Sequence, residues 1–304
     1  MTLHIKKIAK LTGHSGAIYA LDTSTANHLI LSGSGDKTIA KWNLKTLQPE
    51  KLVASFPAVL YAICHIPEKQ LLLAGTSTGQ VHIFDLEKNE NIEILKNHTS
   101  EIFDIKYSIE TNCIYTAGGD GYFAVYSLDT LALITMKKLC DEKVRHMDFN
   151  DTTSEIAVAS GDGYIRIFDL KTFLEKRIFI AHELSANVAR YSPDGKSLLT
   201  GGRDGHLNIW RVGDYDMITS ISAHEWAIYD IVFNPSAHLF ATASRDKTIK
   251  LWDSRTFELL EIINKEKYDG HLNSVNKLIW SSYNDYLISA GDDRTIIVWE
   301  IKSL

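Results

Sequence analysis

From Gly13 to Asn43 the chain reads GHSGAIYALDTSTANHLILSGSGDKTIAKWN. After Gly13-His14, the run Ala17-Ile18-Tyr19-Ala20-Leu21 is short and β-prone. The polar stretch Thr23 to Asn27 turns the chain into His28-Leu29-Ile30-Leu31-Ser32. The small and polar Gly33-Ser34-Gly35-Asp36-Lys37 turns it again into Thr38-Ile39-Ala40-Lys41-Trp42, and a fourth run follows near Gln48 to Ala54. Each run has strand length and is closed by turn-forming residues. Four such runs predict one four-stranded antiparallel sheet.

The pattern then repeats. Trp42, Phe84, Tyr126, Phe168, Trp210 and Trp252 stand 42 residues apart, and Trp299 follows after 47. A period in this range marks stacked repeats. The second run of each unit is continuously apolar, as in Leu29-Ile30-Leu31, Leu71-Leu72-Leu73 and Leu198-Leu199. Strands covered on both faces read this way. Equal units without drift in spacing predict an all-β fold of seven sheets arranged radially, which protects most edges.

Bulk composition narrows the function. The chain has 304 residues, 45% of them hydrophobic, and a formal net charge of −6. An acidic balance argues against nucleic acid as partner, because such binding needs a cationic surface. Cys64, Cys113 and Cys140 are an odd set with no shared spacing, read as reduced fillers in a cytoplasmic compartment. Met1 to Gly13 lacks the apolar core of a signal peptide, and no apolar run reaches the roughly 20 residues that span a bilayer. The expectation is one repeat domain over 1–304, with no membrane partner.

The sequence resembles the WD-repeat β-propeller family over essentially its whole length. In that family a His before the first strand, a Ser or Thr in the second, an Asp in the second hairpin and a Trp in the third form a hydrogen-bonded tetrad. Four repeats match in full: His14, Ser32, Asp36 and Trp42; His182, Thr200, Asp204 and Trp210; His224, Thr242, Asp246 and Trp252; His271, Ser289, Asp293 and Trp299. A buried indole N–H needs an acceptor, which the hydroxyl supplies while donating onward to His. Each bond contributes about 1 kcal/mol net, whereas stranding one buried partner costs roughly 1–3 kcal/mol.

That asymmetry accounts for the departures. Where Trp gives way to Phe84, the sister positions are Phe56, Ala74 and Thr78; where it is Phe168, they are Cys140 and Val158, with Asp162 kept. The network is removed together, so blades two and four are expected to be held mainly by packing, with Asp162 serving turn chemistry in Gly161-Asp162-Gly163. The third repeat keeps His98, Thr116 and Asp120 and offers Tyr126. The chain runs five residues past Trp299, one strand short of a seventh blade. The resemblance implies that residues 3–11 supply that outer strand and close the ring.

No catalytic or metal chemistry emerges, and no cofactor is expected. The histidines outside the tetrad column form no HExxH or close ligand pair. Gly195-Lys196-Ser197 lacks the upstream glycine of a phosphate loop, which falls at Arg190, and Pro193-Asp194-Gly195 is a hairpin turn.

The informative column lies five residues after the tetrad His: Tyr19, Tyr61, Phe103, Arg145, Asn187, Tyr229 and Asn276. A packing column would hold Val or Ile in every repeat. This one alternates aromatics with Arg and Asn, and aromatics and Arg anchor binding hot spots. The resemblance places it at the rim of the innermost strand, on the face bearing the channel mouth. The residue before the turn Asp is Arg203, Arg245 and Asp292 in the last three repeats, and Trp226 precedes the sixth. A five-residue insertion falls near 265–269, in a loop on the same face.

The expected function is therefore a noncatalytic scaffold that binds a peptide or protein segment through Tyr19, Tyr61, Phe103, Arg145, Asn187, Arg203, Trp226, Tyr229, Arg245 and Asn276. A constitutive subunit gripping neighbours through its blade sides is the alternative. A propeller hydrolase or lyase is the third class, since fold does not decide function.

Overall fold

Each repeat becomes one twisted antiparallel sheet in the computed structural model, which describes residues 3–303 except Ala237. Blade one is Ile18–Thr23, Leu29–Ser34, Thr38–Asn43 and Gln48–Ser55, hydrogen-bonded in that order. The same order recurs through six blades, and the seventh differs. There Val275–Trp280, Leu287–Gly291 and Thr295–Ser303 are followed in space by Leu3–Thr12. The protein is a seven-bladed β-propeller of four-stranded antiparallel sheets, closed by its N-terminal strand.

The closing strand pairs from Leu3 opposite Ser303 to Thr12 opposite Thr295, with one irregularity between Lys7 and Ala9. Ile5 and Leu11 are buried by this docking, so the strand contributes to the core as well as covering an edge. Met1 and Thr2 lie outside the described residues.

The chain divides into two compact units, residues 1–60 with 228–304, and residues 61–227. The first holds blades one, six and seven; the second holds blades two to five. Within each unit the core lies between neighbouring sheets. Trp299, Leu251 and Leu278 share one cluster between blades six and seven, and Trp42, Ile30 and Val298 another between blades seven and one. In the second unit, Ile83 meets Tyr126, Phe123 meets Phe168, and Ile165 meets Trp210 in three further clusters. Second strands are buried throughout, as their continuous apolar runs require; all six residues of Cys113–Gly118 and of Glu155–Ser160 are covered.

Neighbouring blades are also stitched by buried carboxylates. Asp104 accepts the backbone N–H of Met147 at 2.8 Å, and Asp230 accepts that of Leu278 at 3.0 Å. The two aspartates occupy the same repeat position, and each reaches the first strand of the following blade. Lys277 Nζ lies 3.2 Å from Asp230, which neutralises a fully buried charge.

The insertion is more ordered than the loop expected from sequence. Lys265–Tyr268 forms one helical turn, whose first turn is capped by the Asn264 side chain accepting from Lys267 N. Asp269, in a left-handed conformation, ends it and pairs with Lys265 and with Lys7 of the closing strand.

Candidate functional site

The tetrads hold the hairpins that carry the candidate surface. In blade one, Trp42 Nε1 donates to Ser32 Oγ at 2.7 Å, the same hydroxyl lies 2.7 Å from His14 Nε2, and His14 Nδ1 lies 2.8 Å from Asp36. Blades five and seven repeat this through Thr200 and Ser289. In blade six, Trp252 donates to Thr242 at 3.0 Å, and His224 is buried. Burial alone would raise the Asp36, Asp204 and Asp293 carboxyls, but hydrogen bonds from His and from their own turns outweigh it and leave all three lowered. Each Asp thereby fixes one turn, accepting from Thr38 N, His206 N and Thr295 N respectively.

Blade three keeps the His98, Thr116 and Asp120 contacts at 2.8–3.0 Å. The Tyr126 hydroxyl is buried and makes no hydrogen bond of ordinary geometry among the described residues. Burial pushes this phenol up to about 12, with the Thr116 hydroxyl acting in the opposite sense.

Blade four adds a polar network to the blade expected to be held mainly by packing. Arg166, on its third strand, sends Nη2 to Asp162 Oδ2 at 2.7 Å and Nη1 to Ser160 Oγ at 2.6 Å. Ser160 Oγ donates to Asp162 Oδ1 at 2.7 Å. Asp162 is thus more than a turn residue, since it anchors a buried guanidinium in place of the missing His and Trp. Burial alone would raise its carboxyl; the bonds from Arg166 and Ser160 prevail and lower it.

On this frame six of the seven column residues are displayed by a shared device. Between first and second strands the register slips by one residue at Tyr19, Phe103, Arg145, Asn187, Tyr229 and Asn276. Each is the extra residue of a β-bulge, which re-aims its side chain out of the alternation. All are half-exposed, as is Tyr61. A strictly alternating strand would have sent these side chains between the sheets.

In the second unit, three blades bring their column residues together. Tyr61 packs against Phe103 with ring centroids 5.5 Å apart, and the Arg145 guanidinium sits 4.9 Å from the Phe103 centroid. Lys143 Nζ is also 4.9 Å from that centroid and reaches Glu101 at 3.4 Å. Burial alone would raise Glu101, but its bonds from Ser100 and Lys143 lower it, while burial and the Glu101 charge push the Tyr61 phenol up. Gly119 lies beneath: a Cβ there would stand 2.5 Å from Glu101 and 3.1 Å from Phe103. The result is an aromatic platform edged by two cations, suited to an apolar side chain beside an anionic group.

Further along the same unit, Asn187 accepts from Ser185 Oγ at 2.9 Å, and exposed Arg203 donates its backbone N–H to Ser185 O. Trp226 is 54% exposed and Leu184, one repeat earlier, 50%, so two large apolar side chains project from equivalent loops. Lys143, Glu101 and Leu184 were missed by the sequence reading. Their positions relative to the column and to Trp226 could have found them.

In the first unit the Tyr19 ring lies against Gly35, as Phe103 does against Gly119. Asn276 is occupied within the protein, donating to Ile18 O at 3.1 Å and to Asp292 at 2.7 Å. Tyr229 is half-exposed and Arg245 exposed. Among the described residues no group of three or more His, Cys, Asp or Glu side chains is placed to hold a metal ion, and no helix is long and apolar enough to cross a membrane.

Radial four-stranded blades, His–hydroxyl–Trp networks and bulged side chains on first strands define a propeller of the repeat-scaffold class. The family described as "WD domain, G-beta repeat" matches residues 5–43, 136–169, 174–211, 215–253 and 263–300, and the chain belongs to it. Propellers of this family generally serve as protein-interaction scaffolds and are typically non-enzymatic. No curated protein matches the chain.

Proposed function

We propose that this propeller is a noncatalytic scaffold that captures a protein or peptide segment on its bulged first-strand residues, with Tyr61, Phe103 and Arg145 as the anchor. The observation that carries this reading is the Tyr61–Phe103–Arg145 contact itself. Three blades each contribute a side chain to one half-exposed platform, two of them, Phe103 and Arg145, lifted out of strand alternation by a bulge. Ordinary core packing would bury such rings fully, as it does Tyr115 and Phe123. Trp226, Leu184 and Arg203 extend the surface, and Tyr19, Tyr229 and Arg245 are its counterparts in the first unit. Asn187 and Asn276 shape their hairpins from within.

Affinity capture from a lysate tests it, comparing wild type with Tyr61→Ala plus Arg145→Glu. Each central aromatic or Arg anchor contributes on the order of 2 kcal/mol, so bound partner should fall by about tenfold or more. An unchanged partner set and yield would remove this surface from consideration.

A specific observation supports a second reading, in which the blade sides grip a neighbour. The fourth strands of blades three to five expose Leu133 and Ile134, Ile178 and Ile180, and Met217 and Ile218, each 41–63% accessible. Apolar residues gathered on successive outer strands mark a contact surface more often than a solvated one.

A further inference from the structure

The second hairpin of every blade makes the same turn, closed by an N–H from one residue to the carbonyl three before it. That N–H belongs in chain order to Lys37, Gly79, Gly121, Gly163, Gly205, Lys247 and Arg294. All seven have φ between +66° and +85°. This left-handed region favours glycine, and after it Asn or Asp, whose short side chains hydrogen-bond locally. The four blades of the second unit use Gly. A Cβ at Gly79, Gly121, Gly163 or Gly205 would meet a carbonyl oxygen of the following loop at 2.1–2.4 Å. The three blades of the first unit use Lys, Lys and Arg.

Elsewhere in the chain, bulky left-handed residues are repaid by burial. Leu47, Leu131, Phe173 and Tyr215 occupy another shared turn and pack into the inter-blade clusters. Lys37, Lys247 and Arg294 are exposed and make no side-chain hydrogen bond or ion pair among the described residues. Among the described residues their side chains return no hydrogen bond or ion pair against the cost of a left-handed backbone, and backbone strain of this kind collects at functional positions. The neighbouring carboxylates of Asp36 and Asp293 are turned inward to His14 and His271.

We infer that Lys37, Lys247 and Arg294 form a cationic arc on three adjacent blades that binds a carboxylate-rich polypeptide segment. This site stands independently of the Tyr61–Phe103–Arg145 platform. Packed sheets lie roughly 10 Å apart, and a polyproline II segment advances about 3.1 Å per residue with three residues per turn, so such a segment would present one side chain to each successive cation about every three residues. A polypeptide fits better than nucleic acid, because the net charge of −6 opposes a dense polyanion.

The test uses the full chain and a fluorescent twelve-residue peptide with Glu at every third position in a Gly/Ser background. The control peptide carries Gln instead. Anisotropy titrations should show binding of the Glu peptide, weakened by salt, and none of the Gln peptide. Replacing all three cations (Lys37→Gly, Lys247→Gly, Arg294→Gly) should weaken binding about tenfold, the combined effect of three exposed charge pairs. The same variant should melt no lower than wild type, because glycine is the residue this turn prefers. The inference is overturned by three results: no binding of the Glu peptide, equal binding by the variant, or a single-stranded oligonucleotide bound more tightly than the peptide through these residues.

Discussion

Deleting residues 1–10 is expected to abolish the soluble, cooperatively folded monomer. The lost segment pairs along residues 297–303 and buries Ile5, and Leu11 loses the strand that holds it in place. Forfeited burial and backbone hydrogen bonding amount to on the order of 5 kcal/mol, comparable with the whole stability of many domains. What remains presents the unpaired edge of the third strand of blade seven, a template for association. Size-exclusion chromatography and urea denaturation check this, and a synthetic peptide of residues 1–12 should restore the monomer. A truncated chain that elutes as a monomer with an unchanged midpoint would show that the strand closes nothing.

The second large effect is expected at Arg166. Arg166→Leu strands Asp162 and Ser160 in a largely covered setting, and removing one partner of such a pair should cost roughly 2–3 kcal/mol after allowance for the partial exposure of Asp162. Adding Asp162→Asn should recover most of the loss. The amide still accepts from Tyr164 N, as Asp162 does now, without a stranded charge. Equilibrium urea unfolding of the two variants measures both numbers. If blade four were held by packing alone, the single substitution would move the midpoint by no more than an ordinary surface change.

This correction shows what kind of information the repeat carries. The 42-residue spacing of Trp42 through Trp252 and the four full tetrads made the seven blades legible, because each repeat states the same pattern independently. The closing strand was legible as well, through the resemblance to the family together with a strand-like stretch at residues 3–11. Arg166 was not legible at the positions where the tetrad was lost, because it substitutes for them from another column. That column reads Ala40, His82, Ala124, Arg166, Asn208, Lys250 and Ile297; it is polar in blades two and four, which lack a tetrad Trp and His, and also in blades five and six, which keep them, so it carries no clear sign of the substitution. The bulges were invisible for a different reason. Six repeats share one at the same position, so the spacing stays constant and no length difference announces the extra residue. Only the residue types of the column, aromatic or polar where Val or Ile would suit a regular strand, carried a trace of it. The insertion near 265–269 read as a loop because a single helical turn of four residues has no periodicity to detect.

Hydrogen–deuterium exchange on the protein with and without a captured partner bears most directly on the proposed binding surface. Protection should appear in the segments around Tyr61, Phe103 and Arg145, with the fourth strands of blades three to five unchanged. Protection confined to residues 133–138, 175–180 and 217–222, with those segments exchanging as in the free protein, would contradict the account and assign the contact to the blade sides.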